Sequence, residues 1–154
     1  MIELFTDRLH LRSFEMSDAK SALSWLGDAE AMRYIEPVFD AARAEDFIRT
    51  CGHLVWCLCL RESGLPIGHV IWHPYMGQPA CWELGWILAP THWGRGYAKE
   101  ISLALIERAR EEGIREIVLE AVPENADSIA VIRALGAQYS HTDEDGLAVW
   151  NIKL

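Results

Sequence analysis

Ile87-Leu88-Ala89-Pro90-Thr91-His92-Trp93-Gly94-Arg95-Gly96-Tyr97-Ala98-Lys99 runs from an apolar strand through a glycine turn straight into a long amphipathic helix. The helix is read from spacing. Ala98, Ile101, Ser102, Leu105, Ile106 and Ala109 share one stripe, while Lys99, Glu100, Glu107, Arg110 and Glu111 lie on another face. Gly113 stands where a C′ glycine ends a helix. Glu116-Ile117-Val118-Leu119-Glu120-Ala121-Val122 then reads as a strand bounded by Pro123, so the stretch makes one βαβ unit. Small residues at Gly94, Gly96 and Ala98 let main-chain amides approach an anion, and the helix start adds unsatisfied N–H groups and a positive dipole end. The turn is therefore expected to hold a phosphate. An ordinary tight strand-to-helix turn is the bland alternative.

Working back toward the amino terminus, three apolar runs, Leu54–Leu60, Ile67–His73 and Cys81–Leu88, are separated by Ser63-Gly64 and Gly77-Gln78-Pro79. This turn chemistry predicts a three-stranded antiparallel meander that feeds the glycine turn. Earlier still, Arg8-Leu9-His10-Leu11-Arg12 alternates like a strand. Ser17 is placed to cap a helix carrying Ala22, Leu23, Trp25 and Leu26 before Gly27, and Asp40 to cap another carrying Ala44, Phe47, Ile48 and Cys51 before Gly52. After the βαβ unit, Asn125 is expected to cap a short helix with Ile129, Ile132 and Leu135 inward and Gly136 at its end. Strands near Ala137–Ser140 and Leu147–Lys153 close the chain.

Composition sets the frame. A chain of 154 residues that is 51% hydrophobic and 24% charged is expected to form a single domain, residues 1–154. Leu54–Leu60 is too short to span a bilayer, and Met1-Ile2-Glu3-Leu4 lacks an export-signal pattern, which points away from membranes and toward the cytoplasm. The net charge of −9 disfavours nucleic acid and suits a cationic partner. The 4 cysteines lack Cys-x-x-Cys spacing and read as small buried hydrophobes, so no metal is expected. His69 and His73 share a strand face, but read better as half-buried strand histidines than as metal ligands. Most of the 7 tryptophans are expected in the core, with Trp93 set apart at the glycine turn.

Four stretches taken together resemble a known family: Thr6-Asp7-Arg8-Leu9-His10-Leu11-Arg12; Glu83-Leu84-Gly85-Trp86-Ile87-Leu88; Trp93-Gly94-Arg95-Gly96-Tyr97-Ala98; and Asn125-Ala126-Asp127-Ser128 leading to Leu135-Gly136-Ala137. In order along nearly the whole chain, they are similar to the GNAT acetyltransferase superfamily, and within it to the RimJ/RimL-like subgroup that includes ribosomal-protein N-terminal acetyltransferases. The resemblance implies an α+β fold of about four helices and a mixed sheet of about seven strands. That sheet would splay between the strand ending at Leu88 and the one ending near Val122. It also implies acetyl-CoA as cofactor. Amides of Gly94, Arg95, Gly96, Tyr97, Ala98 and Lys99 would hold the diphosphate, backbone groups of Ile87 and Leu88 the pantetheine, and Asn125 and Ser128 the thioester end. Trp93 departs from the family's Gln or Arg at the start of the loop. Because main-chain amides carry most of the phosphate contacts, binding is expected to survive.

Acetyl transfer needs a deprotonated amine, a polarised carbonyl and a proton for the leaving thiolate. Glu83 is the candidate base; its bland role is pairing with a neighbouring donor. The segment from Ile129 to Leu135 lacks the tyrosine that many superfamily members use as acid, which leaves Ser128. A purely structural role as the N3 residue of its helix is the alternative for Ser128. The acceptor wall is expected in Asp28–Val38, with Arg33, Tyr34 and Glu36. The acceptor is a protein N-terminal α-amine or a small-molecule amine, and the chain suits a monomer or a homodimer. Two rival readings stand beside this one. Gly94-x-Gly96 with Glu120 suggests a dinucleotide fold, against which Lys99 occupies the place of the third glycine. The missing tyrosine suggests a non-catalytic acyl-CoA-binding sensor or interaction domain.

Overall fold

The computed structural model describes residues 2–154; Met1, read above as part of the amino-terminal pattern, lies outside them. Eight strands and four α-helices are described: β1 (Leu4–Phe5), β2 (Leu9–Arg12), α1 (Ala19–Leu26), α2 (Ala41–Thr50), β3 (Val55–Leu60), β4 (Pro66–Pro74), β5 (Cys81–Leu88), α3 (Tyr97–Glu111), β6 (Glu116–Ala121), α4 (Ala126–Ala134), β7 (Gln138–Thr142) and β8 (Ala148–Lys153). Hydrogen-bonded neighbours follow the order β1-β2-β3-β4-β5-β6-β8-β7. The eighth strand, beyond the seven expected, is β1. Two residues are too few to show a period, and only pairing with Leu11 and His10 makes them a strand. Contacts divide the chain into two compact units, Met1–Ile71 with Trp86–Tyr97, and Trp72–Gly85 with Ala98–Leu154.

In the first unit, β2, β3 and β4 pair antiparallel. Beside them Ala22, Trp25, Leu26, Met32, Phe39, Ala44, Ile48, Ile87 and Ala89 form one buried cluster. Asp40 caps α2 as expected, its carboxylate accepting from the Arg43 amide at 2.8 Å. Ser17 does not cap α1. A 3-10 turn over Met16–Asp18 comes first, and Asp18, at the junction, gives both carboxylate oxygens to Arg12 at 2.8 and 2.9 Å. The Ser17 hydroxyl turns instead to Glu15. The Asp18 carboxylate also accepts from the Glu15 amide at 2.8 Å, so Asp18 and not Ser17 ties this turn to the strand.

Gly68 is where β4 meets the end of β5. A Cβ there would lie 2.3 Å from the Ile87 carbonyl oxygen, 2.7 Å from Leu88 Cδ2 and 3.0 Å from Leu88 Cα. Two of these atoms are backbone, so Gly68→Ala must push the strands apart. It is expected to destabilise the protein by about 1–3 kcal/mol or more, measured by urea denaturation.

His69, next along β4, is a core residue. Trp25 Nε1–H donates to its Nδ1 at 2.9 Å, which places the proton of the neutral ring on Nε2, and Phe47 lies 5.4 Å away, ring centre to ring centre. Burial lowers its pKa from 6.5 to about 4. Between those two values the unfolded chain binds the proton that the folded chain refuses, so stability falls as pH falls through this window. Gln at this position keeps an acceptor for Trp25 and cannot titrate. Between pH 7 and 4 the native protein is expected to lose about 3 kcal/mol more stability than His69→Gln, read from urea midpoints across pH.

In the second unit, β6 pairs antiparallel with β8 and β8 with β7. The parallel pairing of β5 with β6 joins only Cys81–Glu116, Trp82–Ile117 and Glu83–Val118. Leu84 and Gly85 run on without pairing to Leu119 and Glu120, so the expected parting of these strands begins just beyond Glu83. The stripe read on α3 is the buried one: Ile101, Ser102, Leu105 and Ala109 have no exposed surface. Asn125 caps α4 by accepting from the Ser128 amide at 3.3 Å, and Gly136 follows with φ of +85°. All four cysteines are free and buried, and Trp25, Trp56, Trp72 and Trp150 are core residues. Among the described residues no helix is long and apolar enough to cross a membrane.

Candidate functional site

The glycine turn has the backbone its sequence suggests. Gly94 and Gly96 adopt φ of +69° and +79°, a left-handed conformation that residues with a Cβ avoid. A Cβ at Gly94 would meet nothing within 4 Å, so the main chain here is open to an approaching group. The 15-residue helix α3 begins at Tyr97, and its leading amides, those of Tyr97, Ala98 and Lys99, have no partner within the helix. Arg95, in the turn before the helix, and Lys99, in its first turn, are exposed. This chemistry fits a diphosphate: closely approachable amides, a dipole end and two cations in a chain that is otherwise acidic.

Trp93, the residue that departs from the family pattern, folds back on the strand. Its Nε1–H donates to the Leu88 carbonyl oxygen at 2.9 Å, and 40% of the residue stays exposed. Arg8 completes this part of the first unit, and the sequence reading missed it. Its Nη1 donates to the Arg95 carbonyl oxygen at 2.9 Å, and its guanidinium lies 4.5 Å from the centre of the Tyr97 ring. Arg8 therefore braces the turn from the far side of the chain. Nothing in the local pattern around Arg8 signals this, because the contact spans 87 positions.

The predicted acceptor-wall residues lie in the turn after α1. Arg33 is 5.1 Å from the Tyr34 ring. Glu36 pairs with Arg43 at 3.2 Å, and Arg43 in turn lies over Phe39. Tyr34 is half-buried, whereas Arg33 and Glu36 are exposed.

In the second unit, strand alternation puts Cys81 and Glu83 of β5 on one face with Glu116, Val118 and Glu120 of β6. Glu83 is the last residue of β5 paired to β6, at the point where the strands part. His73 Nε2 lies 3.3 Å from Glu83 Oε2, both side chains being about one-fifth exposed. Tyr75, in the turn after β4, donates its hydroxyl to Glu120 Oε1 at 2.8 Å. Burial pushes the Glu83 carboxyl above the ordinary range; His73 pulls it back and Glu120 pushes it up again. Tyr75 is pushed up to about 12, first by its hydrogen bond to Glu120, then by burial and by the charges of Glu120, Glu83 and Asp143. A carboxyl raised by burial at the end of a strand pair is the kind of group that serves as a base near neutral pH. Glu116, further back on the same face, is held below its ordinary range chiefly by Lys153, 2.7 Å away.

The structure thus brings Glu83 together with His73 and, through Glu120, with Tyr75. It brings Asn125 together with Ser128, whose amide is used in the cap. The sequence alone gives His73 as a strand histidine and Glu120 as the ribose ligand of the rival dinucleotide reading. Aligning β5 with β6 by alternation would have put Glu120 on the Glu83 face; the His73 contact had no sequence signal.

Comparison with known proteins shows the family. The profile of the Acetyltransferase (GNAT) domain family matches residues 8–138. An uncharacterized N-acetyltransferase of Bacillus subtilis, YnaD, is 30% identical over 140 residues, which covers 88% of this chain and 82% of that protein. A GNAT-family acetyltransferase from Bacillus anthracis superposes with a TM-score of 0.91 at 24% identity, covering 99% of this chain and 98% of that one. The aminoglycoside acetyltransferase AAC(6')-Ib, solved in complex with coenzyme A, superposes with a TM-score of 0.79 at 18% identity, covering 94% of each chain. The chain belongs to the GNAT family and is an acetyltransferase.

Proposed function

We propose that this protein is one N-acetyltransferase domain, residues 1–154, which transfers the acetyl group of acetyl-CoA to a primary amine by direct attack. The observation that carries the reading is the left-handed turn at Gly94 and Gly96 immediately before α3. Amides of Gly94, Arg95, Gly96, Tyr97, Ala98 and Lys99 bind the diphosphate, with Trp93 at the edge of the turn. Ile87 and Leu88 offer backbone groups to the pantetheine, and Asn125 and Ser128 serve the thioester end. The coenzyme A in the AAC(6')-Ib structure supports this choice of cofactor.

Acetyl-CoA supplies an activated thioester, and the chain supplies the proton movements. Glu83 takes a proton from the acceptor ammonium, directly or through a water, so that a neutral amine attacks. The Ser128 hydroxyl offers a proton to the departing thiolate. A thiol near pKa 8.5 needs little help to leave, which is why a serine suffices where many relatives use a tyrosine. Arg33, Tyr34 and Glu36 contact the acceptor beyond its amine. The RimJ/RimL-like motifs favour the α-amine of a protein N-terminus as acceptor, and the net charge of −9 favours any cationic amine.

Thiol release from acetyl-CoA across a panel of N-terminal peptides and small amines, with each product weighed by mass spectrometry, tests the reading. Release with at least one amine, giving a product heavier by one acetyl group, is expected. Tight coenzyme binding with no release for any amine would make the protein an acyl-CoA sensor instead.

A further inference from the structure

His73 has a constrained ring. Its Nδ1 lies 3.0 Å from the Pro74 carbonyl oxygen, and a carbonyl only accepts, so Nδ1 carries a hydrogen and donates it. Nε2 is left facing Glu83 Oε2 at 3.3 Å. With Nδ1–H committed, a bare Nε2 opposite a carboxylate would set lone pair against lone pair. One proton therefore lies between Nε2 and Oε2, and where the carboxylate is ionised it is Nε2–H that faces it. Pro74 follows His73 directly, so the anchor is built into the strand end.

We infer that His73 is the positioning residue of the catalytic base: it occupies Oε2, holds the Glu83 carboxyl in its ionised form, and leaves Oε1 as the oxygen that takes the acceptor's proton. The inference rests on the reading of Glu83 as the base. The reason a partner is needed lies in the surroundings. Glu83 is largely buried, and Glu120 on β6, bonded by Tyr75 from the turn after β4, adds a second negative charge; Asp143, in the loop between β7 and β8, acts on Tyr75. Glu116 on the same face is matched by Lys153. Burial and Glu120 both favour the neutral acid, and His73 is the group that opposes them. The proton balance shows why the ionised form matters. An ammonium becoming an amide loses two protons; one ends on the coenzyme thiol, and the other must be accepted by a carboxylate that has room for it.

The test compares the native protein with His73→Gln and His73→Lys. Gln fills similar space without a charge, whereas Lys places a cation there. The acid limb of the kcat/KM profile is expected to move up by about one pH unit in His73→Gln, so that activity falls about 10-fold on the acid side and recovers at high pH; His73→Lys keeps the native limb. A uniform loss at every pH in both variants would mean a merely structural role and overturn the inference. The ¹³C resonance of the Glu83 carboxyl, titrated without acetyl-CoA, gives a second readout. It is expected to titrate higher in His73→Gln. An unmoved titration overturns the inference whatever the activity. A moved titration with activity unchanged at every pH leaves the His73–Glu83 pairing standing and instead removes Glu83 as the base.

Discussion

Glu83→Gln is expected to lower the rate of acetyl transfer at saturating acetyl-CoA by about 10²–10⁴-fold, the usual contribution of a positioned general base. The substitution keeps the shape of the side chain and a hydrogen-bonding oxygen, and takes away only the ability to accept the acceptor's proton. Glu83 lies on β5, outside the glycine turn, so calorimetric affinity for coenzyme A should stay at the native value. The remaining activity should rise with pH as more of the amine loses its proton to solvent. Turnover equal to that of the native protein would take Glu83 out of the mechanism. In that case Glu120, on the same face and already bonded to Tyr75, becomes the next carboxylate to substitute.

Gly96→Val should act on the other half of the reaction. At φ of +79° a β-branched residue is strained by about 1–3 kcal/mol. Its Cβ would lie 3.5 Å from Arg8 Nη2, against the side chain that braces the turn. Either response, a shifted main chain or a displaced Arg8, spoils the alignment of amides on the diphosphate. Hydrogen bonds to a charged group contribute about 1.5–3 kcal/mol each, so losing one weakens coenzyme A binding by about 10- to 100-fold. Gly113→Val is the matched control. Gly113 has φ of +77° at the other end of α3 and open space around it, so it carries similar backbone strain and should bind coenzyme A normally. Equal affinity in Gly96→Val and the native protein would show that the diphosphate is held elsewhere.

The elements that sequence reasoning located are those whose cause is local. The α3 stripe, the Asp40 and Asn125 caps and the meander from β3 to β5 each follow from spacing or from turn residues a few positions apart. The places where it erred are those where a distant partner decides. Ser17 has the chemistry of a cap, but Asp18 is drawn into a two-point ion pair with Arg12, and a 3-10 turn takes the start of α1. β1 exists only because β2 offers it a ladder.

The same division runs through the candidate site. Glycines at 94 and 96 before a helix are written in the chain, because only glycine holds that left-handed backbone without strain and only a helix start leaves amides free. Glu83 as a strand carboxylate was legible for the same reason. That Trp93 reaches back to Leu88, that Arg8 grips Arg95, and that His73 and Glu120 gather about Glu83 are settled by strand register and by the burial that pairing creates. Residues far apart in sequence interact only once the fold has already paid the entropy of bringing them together. No periodicity in the chain records which of them will meet.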